Sequence, residues 1–262
     1  MNTKHLAVLF AASAVLASAV YGETAYALNG RNQLVRFDTN TPGFTDNIQT
    51  IRGLQPGESI LGIDFRPANG ALYGLGSQSR IYAIDLTTGA ATAVGSAPFT
   101  PALEGTEFGF DFNPTVDRIR VVSNTGQNLR LHPDTGAVVA VDGRLNSDTV
   151  QEFKIVGSGY TNSVAGATST VLYGIDAETR ALVMQNPPND GKLVRVGMMG
   201  VDMSEVAGFD ISPKTGAAYV AARVRGQAAS ALFEVNLTTG MTIQLGTFDH
   251  LDQIGGFAIP TR

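Results

Sequence analysis

The sequence predicts an all-β protein built from repeats, and three observations support this fold class. Residues 61–89 and 108–136 align without a gap and share a Gly-x-Asp-Phe start and a Thr-Gly end. Short runs of alternating apolar residues are separated by Gly, Pro, Asn and Thr, which is the pattern of strands and tight turns. Gly and Pro interrupt the chain too often for the ten or more residues at 3.6 spacing that a helix needs.

The N-terminal segment is predicted to be a secretory signal peptide covering residues 1–22. A basic start precedes an apolar run over residues 6–20, and cleavage is predicted after Ala19 or Gly22. The alternative is a membrane anchor, but a run of about 15 residues is shorter than the roughly 20 that cross a bilayer. We therefore expect no membrane span and an exported protein, periplasmic or extracellular, with a single domain over residues 23–262.

The composition excludes several partners and chemistries. The chain has no Cys, so an exported form has no disulfide and depends on packing alone. Removal of Lys4 leaves 17 Lys and Arg against 23 Asp and Glu, and such an acidic protein has no electrostatic footprint for nucleic acid. His132 and His250 are the two histidines after the leader, too few for a multi-His metal site. Nucleophile-elbow, zinc-protease and phosphate-loop motifs do not occur.

Each copy of the repeat is predicted to contain four short strands. The first strand holds the Gly-x-Asp-Phe segment, and a Pro-containing turn leads to a second strand such as residues 71–74. The third strand resembles residues 80–85. A Thr-Thr-Gly turn then leads to a fourth strand such as residues 91–95, and Asp85 is expected to cap that turn with its side chain.

Further copies and the chain ends predict how the repeats close. One copy covers residues 207–246, and a degenerate copy is predicted over residues 165–197. Repeat starts then fall near Gly62, Gly109, Gly166 and Gly208. The C-terminal segment 254–262 is a first strand alone, whereas residues 24–53 supply the second, third and fourth strands. Because the two ends complete one blade, we predict a five-bladed β-propeller of four-stranded blades, its ring closed by the C-terminal strand. A β-sandwich, the alternative, gives no reason for complementary half-repeats.

The repeat also carries a family resemblance. GFDFNPTVDRIRVVSNTGQNLRLHPDTG at 109–136, QNPPNDG at 185–191 and AGFDISP at 207–213 resemble a bacterial exported family described as a domain of unknown function. The resemblance covers about residues 24–259. It implies a secreted, propeller-like β protein and provides no catalytic residue to transfer. The Asp-x-x-Thr-Gly turn at 85–89 resembles a wider set of propeller repeats in architecture only.

Three aspartates recur at one position of the first strand. They are Asp64, Asp111 and Asp210, with Thr168 at this position in the degenerate copy and Ala258 in the closing blade. An Asp before a Pro turn can accept backbone N–H groups, so support of the turn is one interpretation. Since first strands line a propeller channel, a metal site is the other, and Ca²⁺ suits such carboxylates. No cofactor is predicted from any other motif.

The copy at 108–136, the third blade, departs from the repeat at four positions. Arg120 stands where four copies have Tyr, namely Tyr26, Tyr73, Tyr173 and Tyr219, and Arg118, Asn128 and Arg130 replace Ala71, Ile81 and Ala83. Residues two apart share a strand face, so these side chains and Asp111 are predicted to form a ligand-binding patch in which Arg grips an anion. The other interpretation is an Arg–Asp network between blades, with Asp64, Asp111 or Asp117 as partners.

The sequence favours a monomeric binding or interaction module whose ligand is a small anion, a glycan or a protein. The Pro-Pro turn at 186–191 is expected to protrude and to shape a rim of the site. The first alternative is an enzyme, a glycosidase or lyase that uses the channel aspartates, although the chain has no Trp for a sugar platform. The second is a purely structural envelope protein with no small ligand.

Overall fold

Twenty strands form five four-stranded antiparallel sheets in the computed structural model, which describes residues 22–149, 151–249, 251 and 253–262. The predicted signal peptide lies outside the described residues, apart from Gly22. The predicted five-bladed propeller is confirmed, and so is its closure, because the C-terminal strand pairs with the first strand of the N-terminal blade. Among the described residues the one helical segment is a 3₁₀ turn at Pro188–Asp190, and none of their helices is long and apolar enough to cross a membrane.

The strands are numbered in chain order, and each blade is given from the channel outward. Blade 1 contains β20 (Ile254–Ala258), β1 (Thr24–Asn29), β2 (Gln33–Asp38) and β3 (Thr45–Thr50), and blade 2 contains β4 (Ile60–Phe65), β5 (Leu72–Gly76), β6 (Arg80–Ile84) and β7 (Ala91–Val94). Blade 3 contains β8 (Phe108–Asn113), β9 (Arg118–Ser123), β10 (Asn128–Leu131) and β11 (Val138–Val141). Blade 4 contains β12 (Ile155–Tyr160), β13 (Leu172–Asp176), β14 (Ala181–Gln185) and β15 (Leu193–Met198), and blade 5 contains β16 (Met203–Ile211), β17 (Ala218–Val224), β18 (Ser230–Val235) and β19 (Thr242–Thr247).

The start of blade 4 differs from the prediction. Its first strand is β12, so the repeat begins at Gly157 rather than Gly166, and Gly159 rather than Thr168 occupies the aspartate position. The segment Ile-Val-Gly-Ser-Gly-Tyr at 155–160 lacks both the Asp and the Phe of the other copies, which is why the pattern did not reveal it. The predicted alignment of the second strands is correct. In each blade the aligned Tyr or Arg pairs with the aspartate position of the first strand, as Tyr73–Asp64, Arg120–Asp111, Tyr173–Gly159 and Tyr219–Asp210.

Glycines on the inner strands let neighbouring blades approach closely. A β-carbon built on Gly62 would lie 3.0 Å from Phe110 Cβ, and one on Gly208 would lie 2.4 Å from a backbone nitrogen of blade 1. The same contact recurs around the ring as Gly62–Phe110, Gly109–Ser158, Gly157–Phe209, Gly208–Phe257 and Gly256–Ile63. The recurring Gly is therefore required by blade packing, and the residue after it fills the space beside the preceding blade.

Most of the core lies between blades. Phe37 of blade 1, Tyr219 of blade 5 and Phe257 of β20 belong to one buried cluster, and their rings contact one another. The outermost strands are largely exposed, as the pattern of β3 illustrates. Burial of apolar area between blades is the main favourable contribution to a fold that has no disulfide.

Candidate functional site

Three buried carboxylates meet in the channel. β4, β8 and β16 place Asp64, Asp111 and Asp210 at equivalent positions, and one oxygen of each lies within 4.8 Å of the others. Each side chain is at most 4% exposed. Equivalent positions around a ring face the same axis, which is how one repeat position creates the cluster. We call these three residues the carboxylate triad.

Each carboxylate also joins its own blade to the next one. Asp64 accepts hydrogen bonds from the N–H groups of Phe65 and Phe112, both at 2.7 Å, and Asp210 accepts from Ile211 at 2.6 Å and Ile259 at 2.7 Å. Asp111 accepts from the N–H of Tyr160 in blade 4 at 3.1 Å. The side chains therefore support the ring, and not merely the turn that follows each strand.

Burial raises the pKa values of the triad. The pKa values of Asp64 and Asp111 lie well above the ordinary range, first because of desolvation and then because of neighbouring carboxylates. Burial raises the pKa of Asp210 to about 7. Hydrogen bonds from two backbone N–H groups oppose this rise, and the negative charge of Glu23 adds slightly to it. Three buried carboxylates at this separation require protons or a cation.

The burial of the triad argues against a glycosidase site at these carboxylates. The two carboxyl groups of such enzymes flank a substrate at separations of about 5–5.5 Å or 6.5–9.5 Å. In the triad the oxygens lie within 4.8 Å of one another and the side chains are buried. The channel beside them is narrow, and its lining includes Phe110, Phe209 and Phe257. A sugar ring cannot enter between these carboxylates.

The structure brings together three of the five residues predicted to form the ligand-binding patch, and a fourth, Asp111, belongs to the carboxylate triad instead. Arg120 donates to Asn128 Oδ1 at 2.6 Å and to Asp142 Oδ2 at 3.0 Å, and Arg130 binds Asp142 through two hydrogen bonds of 2.7 and 2.9 Å. Arg118 is separate, because its guanidinium donates to two carbonyls of its own turn. Asp142 offsets part of the positive charge of the patch.

Arg120 extends this network across to blade 4. Its Nε donates to the Tyr160 hydroxyl at 2.8 Å, and another nitrogen donates to Asn189 Oδ1 at 2.7 Å. The Arg120 residue is 1% exposed, so protein surrounds its guanidinium on all sides. The interpretation as an inter-blade network matches these contacts, although the acidic partner is Asp142 and not the predicted Asp64, Asp111 or Asp117.

A second inter-blade network was missed by the sequence reasoning. Arg66 of blade 2 binds Asp117 of blade 3 through two hydrogen bonds of 2.9 and 2.5 Å and also contacts Asp134 at 2.5 Å. The repeat contained the signal, because Asn113 and Ser212 stand where blade 2 has this arginine. Arg66 is thus a departure from the repeat that the sequence alone displays.

An open cavity of about 320 Å³ lies beside the Arg120 network, between blades 3 and 4. The β8–β9 turn, the loop at 161–171 and the Pro-Pro loop at 186–192 form its walls. Its lining consists of Asn113, Thr115, Tyr160, Thr168, Ser169, Thr170, Val171, Leu172, Met184, Gln185, Asn186 and Pro188. None of these described lining residues carries a charge at neutral pH. We call this cavity the blade 3–4 cleft.

A comparison with protein families assigns the chain to a family. A family model for a domain of unknown function, DUF4394, matches residues 33–258. The chain belongs to the DUF4394 family. The description of this family assigns no activity to its members. No match was found among curated protein sequences.

Solved structures similar to this DUF4394 protein are distant in sequence. The Kuenenia stuttgartiensis hydrazine synthase structure is 12% identical with a TM-score of 0.44, over 79% of this chain and 53% of that one, so the match spans about half of that chain. A nidogen/laminin complex gives 13% identity and a TM-score of 0.49, over 91% and 98% of the two chains. Myxococcus xanthus glutaminyl cyclase gives 10% identity and a TM-score of 0.51, over 86% and 95% of the two chains. At such identities the likeness concerns the fold alone.

Proposed function

We propose that this DUF4394 protein is an exported, non-catalytic binding module that holds a neutral saccharide in the blade 3–4 cleft. The observation that carries the proposal is a cavity of about 320 Å³ whose lining is rich in hydroxyl and amide groups and contains no charged side chain. A pocket of this kind recognises a neutral ligand with many hydroxyl groups. The basic and apolar leader supports export to the periplasm or the outside of the cell.

Several polar groups of the cleft are available to a ligand. Thr168, Ser169 and Asn186 are exposed, and none of their side chains takes part in a hydrogen bond recorded among the described residues. A hydroxyl both donates and accepts, and an amide does so with separate atoms, which suits the hydroxyl groups of a sugar. Val171 and Met184 add apolar surface on which the C–H face of a sugar ring can pack.

A neutral ligand fits better than the anion that the arginines suggested. The Arg120 guanidinium is already bonded to Asn128, Asp142 and blade 4. Arg130 has a 31% exposed side chain but is bidentate to Asp142, so an anion would have to displace that carboxylate. The arginine network instead fixes the Tyr160 and Pro188 wall of the cleft.

The proposal is tested with residues 23–262, the predicted mature chain, on a glycan array followed by calorimetric titration of any saccharide retained. Ser169→Trp places an indole in the cleft, and Asn186→Ala removes an exposed amide. We expect the first change to abolish binding and the second to weaken it by about tenfold, the loss of one or two hydrogen bonds. Asn47→Ala, an exposed change on blade 1, is the matched control.

The possible outcomes separate the candidate functions. Binding that survives Ser169→Trp refutes the cleft as the site. Retention of anions or of a protein, with no saccharide retained, refutes the ligand class. Turnover of a glycan that is lost in Asp111→Asn would return the channel enzyme to consideration. Absence of any ligand would favour a structural envelope protein.

A further inference from the structure

We infer that the propeller channel holds one Ca²⁺ ion, bound by Asp64, Asp111 and Asp210. The inference is independent of the saccharide proposal, because the carboxylate triad and the blade 3–4 cleft are separate features. It rests on the spacing of the three oxygens, on the lack of other cations around them, and on an unpartnered buried hydroxyl in the same channel.

The spacing of the oxygens suits Ca²⁺. Three atoms within 4.8 Å of one another fit inside a circle of radius about 2.8 Å, so an ion at the centre lies at most that far from each. Ca–O distances are about 2.3–2.6 Å, so inward shifts of a few tenths of an ångström complete the contacts. Mg–O distances of about 2.0–2.1 Å would require larger shifts from carboxylates that backbone N–H groups hold in place.

The triad has no cationic side chain to offset its charge. Among the described residues, no Lys or Arg forms an ion pair with Asp64, Asp111 or Asp210, and the nearest arginine networks are committed elsewhere. Arg66 pairs with Asp117 and Asp134, whereas Arg120 pairs with Asp142. A divalent ion offsets two of the three negative charges, and the remaining charge needs only one proton.

An unpartnered buried hydroxyl lies on the inner strand of blade 4, against the inner strand of blade 3 that carries Asp111. At the position after the recurring glycine, the four other blades carry Ile63, Phe110, Phe209 and Phe257, whereas blade 4 carries Ser158. The Ser158 hydroxyl lines the channel, its residue is 3% exposed, and its Oγ has no hydrogen-bond partner among the described residues. A buried hydroxyl is favoured when it has a hydrogen-bond partner, and a water held by an ion in the channel would supply one.

Ser158 lies on the side of the channel that faces Asp111. A β-carbon built on Gly109 would lie 2.3 Å from Ser158 Oγ. Gly109 and Asp111 are two residues apart, so they share one face of their strand. Only one oxygen of Asp111 accepts a hydrogen bond from the described residues. Ca²⁺ takes six to eight oxygen ligands, so bound water completes its shell, and such a water donates to Ser158 Oγ and satisfies it.

The first test is thermal unfolding of residues 23–262 at pH 8, after treatment with a chelator that is then removed. Ca²⁺ at about a hundredfold excess over its Kd is expected to raise the Tm by about 5–10 °C, and Mg²⁺ at the same concentration is expected to raise it much less. Elemental analysis of the reloaded and desalted protein is expected to give one Ca²⁺ per chain. No rise in Tm with Ca²⁺ overturns the inference.

Variants locate the ion. Asp111→Asn is the mildest change to the triad, because the amide oxygen can still accept from the Tyr160 N–H. It is expected to remove the Ca²⁺-dependent rise in Tm while leaving the Ca²⁺-free protein at least as stable as wild type, since a buried charge is lost. Asp249→Asn removes the same charge from an exposed position and is expected to keep the full rise. A full rise in Asp111→Asn overturns the inference.

A spectroscopic measurement keeps the inference testable on the unmodified protein. Tb³⁺ binds Ca²⁺ sites, and the chain has no Trp, so excitation of Tyr160 beside the triad sensitises its emission. Emission that saturates at one Tb³⁺ per chain and is displaced by Ca²⁺ supports the site. If Asp111→Asn does not fold, Asp210→Asn takes its place, and unchanged saturation of Tb³⁺ emission in that variant overturns the inference.

Discussion

The stability of the ion-free protein is expected to fall as the pH rises from 5 to 8. The triad provides the reason, because its buried carboxyls bind protons more tightly in the folded protein than in the unfolded chain. Burial raises the pKa of Asp210 from 3.8 to about 7. The stability associated with its protonated form is complete below pH 3.8 and is lost as the pH rises through about 7.

The size of the stability change follows from the part of the Asp210 pKa shift that lies between pH 5 and pH 8. One pKa unit corresponds to about 1.36 kcal/mol, so the two units between pH 5 and about 7 give a loss of about 3 kcal/mol from Asp210. Asp64 and Asp111 have raised pKa values and act in the same direction. Asp134, whose pKa is lowered by its hydrogen bond to Arg66, loses its contribution only below pH 4 and stays outside the window.

Urea unfolding of residues 23–262 in the presence of a chelator measures this difference. The unfolding free energy is expected to be lower at pH 8 than at pH 5, and Asp210→Asn is expected to reduce the difference by about 3 kcal/mol because the titrating group is gone. Ca²⁺ is expected to reduce the pH dependence of the wild-type unfolding free energy, because it offsets the charge of the ionised carboxylates. A wild-type stability that is constant or rises from pH 5 to 8 without Ca²⁺, with the same slope in Asp210→Asn, refutes the reasoning.

Three further changes test the links between blades by urea unfolding. Arg120→Tyr restores the repeat residue but removes the buried donor that bonds Asn128, Tyr160 and Asn189. Asp142 keeps Arg130 but loses its other arginine, so we expect a loss of about 3 kcal/mol, and a neutral or stabilising result would contradict the network. Gly208→Ala is expected to cost more than about 3 kcal/mol, since its β-carbon would lie 2.4 Å from backbone of blade 1, and near-wild-type stability would disprove that contact. Tyr82→Phe removes the 2.6 Å hydrogen bond to Glu58 and is expected to cost about 1–3 kcal/mol, whereas an unchanged midpoint would show the bond to be dispensable.

The repeat made much of the architecture predictable. Gapless alignment of two copies gave the strand order of blades 2 and 3, and complementary half-repeats at the ends gave the closure through β20. The prediction failed at blade 4, where β12 has Gly159 in place of the aspartate and Ser158 in place of an aliphatic or aromatic residue. An inner strand that has lost its recurring side chains keeps its place in the ring through backbone pairing, which leaves little trace in sequence.

The Arg120 network was only partly predictable, because its partners lie outside the aligned repeat or on another blade. Departures from the repeat identified Arg120, Asn128 and Arg130, and the structure brings these three together. Their acidic partner, Asp142, lies beyond the aligned repeat at the end of blade 3, and the Tyr160 and Asn189 partners come from another blade. No spacing rule along the chain connects such residues. The loop that forms one wall of the blade 3–4 cleft was expected to shape a rim, whereas the cleft itself was not expected.

The sequence by itself determined the repeat, the number of blades, the closure of the ring and the recurrence of Asp64, Asp111 and Asp210. Local periodicity encodes these features, since a strand and its turns are specified by neighbouring residues. Only the tertiary structure decided that the three carboxylates lie within 4.8 Å of one another, that Arg120 is enclosed by protein, and that a neutral cleft opens beside it. Those properties depend on how one blade meets the next, and that contact joins residues about 50 positions apart in the chain.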